Sequence, residues 1–311
     1  MNRIPIAFAF DNNLILPAGF CLSSLLANAK EDTFYDIFIL HSQSEKLKED
    51  VLNKLALHFK NYEIHYRTVD DTFDAAYQIR GINTVTYYRL LIPELIPEYD
   101  KIIYSDVDVI FQDDLSDIFH STDLGDYYLA GVKSLAHLMP ETQKHYEKLQ
   151  IDSSQCIYAG NLILNSQALL QDRIVEKFKA HALKQYEFQD MDIINIVCAN
   201  RIKSLPPSFC VTNYFTDFAI HHKQELLDIW TETEISEAFL KGIIHYNGPK
   251  PWKTCCVNFD IWWEYYRKSP FFDEKFYYDF FENQMNALDR LSLWKRIKIL
   301  IRYFIFGRTQ K

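Results

Sequence analysis

The chain is expected to fold as an α/β domain around a mostly parallel sheet, because short apolar strand-like runs alternate with helical patterns along its first half. A hydrophobic share of 48% over 311 residues is enough for a large core. Acidic residues also follow two of the apolar runs, at the carboxyl ends of strands where open α/β sheets bind ligands.

Taken in order, residues 4–10 read as a strand, 14–29 as a helix and 35–40 as a second strand. Residues 45–59 are helical in pattern and 62–66 form a third strand. Residues 87–92 read as a helix ending near Pro93, since the residue before a proline is pushed away from the helical region. Residues 101–105 and 129–132 follow as strands. Past about residue 135 the pattern loosens to a strand at 158–165 and helices at 175–186 and 191–198, with a break at Pro206-Pro207. From about residue 255 the chain is crowded with aromatics. Without an internal repeat or low-complexity linker, the simplest division is one domain over 1–265 and a C-terminal extension over 266–311.

The net charge of −9 argues against a nucleic-acid binder. A small phosphate ligand needs only a local positive patch or a metal. The six cysteines (21, 156, 198, 210, 255 and 256) show no metal-ligand spacing, and the expectation is reduced thiols in a cytoplasmic protein. The chain enters its first strand almost at once, so no secretory signal is expected, and no apolar run reaches membrane-spanning length.

The run Tyr104-Ser105-Asp106-Val107-Asp108 places two carboxylates one residue apart after a strand. Extended residues i and i+2 point to the same side, so Asp106 and Asp108 can aim at one ion. Hard oxygen ligands suit Mg²⁺ or Mn²⁺, which can bridge a diphosphate. A solvated strand end or a helix cap would also explain the pair taken alone.

The C-terminal residues 289–311 carry seven Lys/Arg against one acid. On a helical wheel Leu293, Trp294, Ile297, Leu300, Ile301, Phe304 and Ile305 share one side and Lys295, Lys298 and Arg302 the other, with Ile299 out of pattern. A basic amphipathic helix on an acidic protein points to an anionic membrane surface, the alternative being a helix packed on the protein's own core.

Six motifs then occur in order: Ala9-Phe10-Asp11-Asn12-Asn13, Thr86-Tyr87-Tyr88-Arg89-Leu90, Tyr104-Ser105-Asp106-Val107-Asp108, Tyr158-Ala159-Gly160, Gln189-Asp190-Met191-Asp192-Ile193-Ile194-Asn195, and His245-Tyr246-Asn247-Gly248-Pro249-Lys250-Pro251-Trp252. Over roughly residues 4–265 this set resembles the retaining family-eight glycosyltransferases, which include bacterial lipopolysaccharide galactosyl- and glucosyltransferases and glycogenin. The resemblance implies a GT-A fold that transfers glucose or galactose from UDP-glucose or UDP-galactose to a glycan or glycolipid acceptor, here lipopolysaccharide or lipooligosaccharide core. It implies Mn²⁺ (or Mg²⁺) on Asp106, Asp108 and His245. It further implies donor contacts from Ala9, Asp11, Asn13, Arg89, Asp106, Val107, Ala159, Gly248 and Lys250, with Asp190, Arg89 and Asp192 in the catalytic set. The tail is similar to the membrane-associating end of lipooligosaccharide galactosyltransferases, which implies a peripheral protein on the inner face of the cytoplasmic membrane.

For several of these residues the sequence also allows a plainer role: an Asx turn for Asp11, a salt bridge for Arg89, a helix cap for Asp192 and packing for Trp252. Two positions depart from the family pattern, Tyr158 where asparagine is common and Met191 where glutamine is common. A thioether makes no amide hydrogen bonds, so a covalent intermediate at 191 is not expected, and same-face attack fits better. The departures also motivate a second reading, a non-catalytic sugar-nucleotide-binding relative. A nucleotidyltransferase or diphosphatase fits less well, because of the His245–Lys250 motif. Acceptor-binding loops are expected at 133–154 and 209–222.

Overall fold

The computed structural model describes residues 2–79, 84–286 and 290–306. Its ten strands in these residues are β1 (Asn2–Ala9), β2 (Thr33–Ser42), β3 (Tyr62–Val69), β4 (Lys101–Ser105), β5 (Val109–Ile110), β6 (Leu129–Lys133), β7 (Ile157–Asn165), β8 (Ile202–Leu205), β9 (Val211–Thr212) and β10 (Ile244–His245). Seven form one sheet in the order β3-β2-β1-β4-β7-β6-β8, and β5-β10-β9 form a second, small sheet. In the large sheet β7 alone runs antiparallel to its neighbours.

The near-continuous apolar runs follow from burial of the sheet on both faces. Alternate residues divide between two cores. Ile4, Ile6, Phe8, Ile37, Ile39 and Ile103 belong to one, and Ala7, Phe38, Leu40, Ile102 and Tyr104 to the other. β2 and β4 lie on opposite sides of β1. Their divergence leaves a crevice past the ends of β1 and β4, and Asp11 and Asp106 follow those two strands.

Two helical expectations need correction. Residues 49–57 form a 3₁₀ rather than an α-helix, with Leu52 and Leu55 buried. Side chains three apart eclipse in a 3₁₀ helix, and this pair fits that repeat. Thr84–Leu91 is likewise 3₁₀, and Pro93 opens the helical turn Ile92–Leu95 instead of ending a helix. Proline is tolerated in a first turn because its missing N–H has no intrahelical partner there. Strands β5, β8, β9 and β10 had no sequence signal of their own. At two to four residues they are too short to show a period.

The boundary placed at residue 265 falls inside the helix Phe259–Lys268. Tyr266, Phe271 and Phe280, beyond it, are buried in the same core as Ile4 and Phe20. Phe20 meets Trp262, Tyr266 and Phe271 edge-on at 5.3, 4.9 and 5.6 Å. A Cβ on Gly19 would stand 2.6 Å from the Phe271 ring, so a glycine here lets the extension seat against the helix Ile15–Ala27. The aromatic crowding past 255 is therefore largely core as far as Phe280. Of the tail, Asp289, Arg308 and Lys311 lie outside the described residues. Leu293–Phe306 is a helix whose Trp294, Leu300 and Phe304 are 80, 55 and 81% exposed. Among the described residues no helix is long and apolar enough to cross a membrane.

Trp263, on the helix Phe259–Lys268 and buried against Phe276, Tyr277, Phe280 and Phe281 of the helix Glu274–Met285, should carry much of that docking. Trp263→Ala is expected to cost about 3–5 kcal/mol in urea unfolding; a loss near zero would mean that the extension is not part of the folding unit.

Candidate active site

Three stretches distant in sequence meet past the end of β4. Ser105 pairs with Asn161 across β4 and β7, and the Asp106 N–H donates to the Gly160 carbonyl at 2.8 Å. His245 pairs with Val109 across β10 and β5, and the Tyr246 N–H donates to the Asp108 carbonyl at 3.0 Å. Backbone register thus sets Asp106, Asp108, Gly160 and His245 around one point.

The carboxylates have divided duties. Oδ1 of Asp106 accepts from Arg89 Nη2 at 2.8 Å and from the Tyr104 hydroxyl at 2.7 Å. Oδ2 of Asp108 accepts from Lys250 Nζ. The remaining oxygens, Asp106 Oδ2 and Asp108 Oδ1, lie 3.6 and 3.3 Å from His245 Nε2. Ligand atoms from these three residues all fall within 4.8 Å of one another. Two carboxylate oxygens and one imidazole nitrogen make a donor set that fits Mn²⁺ or Mg²⁺. The space is kept clear by Gly160, where a Cβ would come within 2.3 Å of His245 Cε1 and 3.0 Å of Asp106 Oδ2. Asp36, Glu63 and His65 form a second such group, but Asp36 is already paired with Arg3 at 2.5 Å and accepts from Tyr99 at 2.6 Å.

The charges are strongly coupled. Burial works against ionisation of Asp108, yet His245 and Lys250 hold its carboxyl well below the usual range. Burial likewise opposes a charged His245, but the Asp108 carboxylate overrides it and pushes the ring up to about 10. Asp190, 8% exposed, is raised above the usual carboxylate range by burial, with Arg89 opposing.

Arg89 links the two acidic groups. Its Nε is 3.2 Å from Asp190 Oδ2, its Nη1 donates to the Ala159 carbonyl at 2.7 Å, and its guanidinium lies 4.4 Å above the Tyr104 ring. Thr86 Oγ1 donates to Asp190 Oδ1 at 2.7 Å. Thr86, Tyr104 and Gly160 are functional positions that sequence reasoning left without a role. All three lay inside quoted motifs, and a glycine within a strand was itself a signal of close approach.

A cavity of about 480 Å³ is lined by Arg89, Asp106, Asp108, Ala159, Asp190, His245 and Lys250, and by both departures, Tyr158 and Met191. Ser134, Ala136, Met139, Thr142 and Tyr214, from the two expected acceptor loops, close other parts of it. Asp11 lines a separate cavity of about 190 Å³ with His41, Ser42 and Tyr88. There it caps the turn at Asn12–Leu14 by accepting the Asn13 N–H at 2.9 Å, so the Asx turn and a cavity-lining position coincide. The 3₁₀ segment Thr84–Leu91 divides the two cavities, with Thr86 and Arg89 on one and Thr84, Val85 and Tyr88 on the other.

The other expected positions stand differently. Val107 has its side chain in the core, which leaves only its backbone to the site. Ala9 ends β1, and Gly248 lies beside Asn213. Asp192 is not among the lining residues; fully buried, it accepts the Phe188 N–H at 2.9 Å and pairs with His145 at 2.9 Å. Asp192 is the fourth residue of the helix Gln189–Val197, whose N-cap is Phe188, so it does not cap the helix as the sequence alternative had it; reaching back to the Phe188 N–H, it braces the helix that carries Asp190.

Residues 5–256 match the model of glycosyl transferase family 8, and the chain belongs to that family. It is 23% identical over 292 residues to a putative glycosyltransferase of Haemophilus influenzae, covering 86% of this chain and 84% of that protein. It is 23% identical to a lipopolysaccharide 1,2-glucosyltransferase of Escherichia coli, over 79% of this chain and 72% of the relative. Of longer relatives it spans less, 41% of glycosyltransferase GlyE of Streptococcus pneumoniae. The fold matches that of galactosyltransferase LgtC, solved with donor and acceptor sugar analogs, with a TM-score of 0.69 at 23% identity over 88% of this chain and 98% of LgtC. The GT-A architecture and a glycosyl-transfer role follow.

Gly160→Ala is expected to leave far-UV circular dichroism unchanged and to cut glycosyl transfer about 100-fold, since a displacement of about 1 Å at a reacting site carries a cost of that order. Wild-type turnover in this variant would show that the close approach of His245 and Asp106 is not required.

Proposed function

We propose that the protein is a metal-dependent, retaining hexosyltransferase that moves glucose or galactose from a UDP-sugar to a glycan acceptor, the core saccharide of a lipopolysaccharide or lipooligosaccharide. The observation that carries this reading is the convergence of Asp106, Asp108 and His245 across Gly160, with Lys250, Arg89 and Asp190 lining the same cavity. Mn²⁺ or Mg²⁺ held by the three ligands supplies charge stabilisation for a departing diphosphate. The kinship to a lipopolysaccharide glucosyltransferase supports the acceptor class.

The protein's own groups divide the remaining work. Lys250 Nζ, now on Asp108 and the Tyr246 carbonyl, is placed to turn to the diphosphate, and Gly248 lets the backbone come close. Asp190, fixed by Arg89 and Thr86, accepts hydrogen bonds from the transferred sugar's hydroxyls. Asp11 and Asn13 hold the nucleoside at the end of β1. The loop residues Ser134–Thr142 and Tyr214 face the acceptor side. Met191 offers no oxygen nucleophile, so the acceptor attacks from the face the leaving group vacates and its proton passes to the departing phosphate oxygen.

UDP release from a panel of UDP-sugars, with and without Mn²⁺, tests this. One sugar should turn over only with the ion, and Asp106→Ala, Asp108→Ala and His245→Ala should each abolish that turnover. Near wild-type transfer by these variants would sink the metal assignment. Met191 in the cavity favours one other reading, a binding-only relative. It would bind UDP-sugar and Mn²⁺ yet transfer to no acceptor in a glycan screen.

The exposed apolar residues of Leu293–Phe306, with Lys295, Lys298 and Arg302 on the same helix, support docking on the inner face of the cytoplasmic membrane. Removal of the residues after 289 should release the protein from anionic vesicles in co-sedimentation; unchanged binding would refute the anchor.

A further inference from the structure

His245 has a second ring nitrogen, and its recorded partner is a sulfur. Cys210 Sγ lies 3.6 Å from Nδ1, on the opposite side of the imidazole from Nε2 and the two carboxylates. Both residues are buried, at 1 and 7% exposure. The pairing is built into the backbone. Cys210 directly precedes β9, which runs parallel to β10 with Val211 opposite Ile244 and Thr212 opposite His245. The Cys210 N–H donates to the Pro207 carbonyl at 3.1 Å, which fixes the turn that delivers the thiol. Gly160 stands against the Cε1–Nδ1 edge of the ring, where even a Cβ would come within 2.3 Å of Cε1 and 2.7 Å of Nδ1. The ring therefore has little freedom to choose another orientation.

A cation can be held by Nε2 only through that nitrogen's lone pair. The proton of the neutral ring must then sit on Nδ1, and Nδ1–H needs an acceptor. A cysteine sulfur is a weak acceptor but a real one. We propose that Cys210 is a positioning residue, whose sulfur accepts the Nδ1–H of His245 and so turns the Nε2 lone pair toward Asp106 and Asp108. This rests on the reading of those three residues as cation ligands. It separates Cys210 from the buried Cys21 and Cys156, whose thiols face the Asp106 and Asp152 carbonyls at 3.9 and 3.6 Å.

The test is Mn²⁺ titration of the full chain, following free Mn²⁺ by electron paramagnetic resonance, for wild type, Cys210→Ala, Cys210→Ser and Asp108→Ala. Alanine removes the acceptor and serine supplies an oxygen in its place. Cys210→Ala should weaken Mn²⁺ binding roughly 10–100-fold, and Cys210→Ser should stay within about threefold of wild type. UDP affinity measured in excess chelator should be the same in both. Wild-type affinity in Cys210→Ala would overturn the proposal. So would an equal loss in Cys210→Ser and Cys210→Ala, which would mark the thiol as packing only. If wild type binds Mn²⁺ no better than Asp108→Ala, the cation-ligand reading itself has failed and this inference falls with it.

Discussion

The site depends on one buried cation between two acids. Arg89 is 7% exposed and holds Asp106 through Nη2 and Asp190 through Nε. A buried guanidinium is tolerable only when its charge and its donors are met. Here they are met by two carboxylates, the Ala159 and Thr86 carbonyls and the face of Tyr104. Burial disfavours the charge, but Asp106 and Asp190 keep the guanidinium firmly protonated. Without it, Asp106 and Asp190 would line one cavity with no cation between them. The arginine so fixes one oxygen of Asp106 and leaves the other turned to His245.

A second cation completes the pattern on the far side. Lys250 covers Asp108 Oδ2 as Arg89 covers Asp106 Oδ1. Two free oxygens and an imidazole nitrogen then face each other. The two cations differ in what they can do next. The fork of Arg89 is locked by several partners, whereas Lys250 is a point charge on a flexible stem, half-buried and able to change partners. The rigid cation builds the acidic group, and the mobile one can exchange partners.

Much of this could be read from the chain. Ile4, Ile6 and Phe8 alternating with Ala7, and the same pattern in β2, announced a sheet covered on both faces. Asp106 and Asp108 one residue apart announced a shared target. Other features could not be read. Glu49–Leu57 and Thr84–Leu91 have helical composition, and the distinction between 3₁₀ and α hydrogen bonding is made by packing of Leu52 and Leu55, and of Tyr87 to Leu91, rather than by propensity. The strands that deliver His245 and Cys210 are two residues long or border such a strand. Pairing across β5, β10 and β9 defines them, and pairing is invisible in a linear pattern.

The sequence by itself determined the layered α/β core, the acidic pair at the end of β4, the family and the basic aromatic tail. These are carried by local periodicity and by residue types at short spacing. Tertiary structure alone decided which carboxylate oxygen faces the histidine, that Gly160 must lack a side chain, that Asp192 braces a helix instead of lining the cavity, and that a thiol backs His245. Those outcomes follow from register between strands about 30 to 140 residues apart. A one-residue slip in such a register would turn every side chain to the other face.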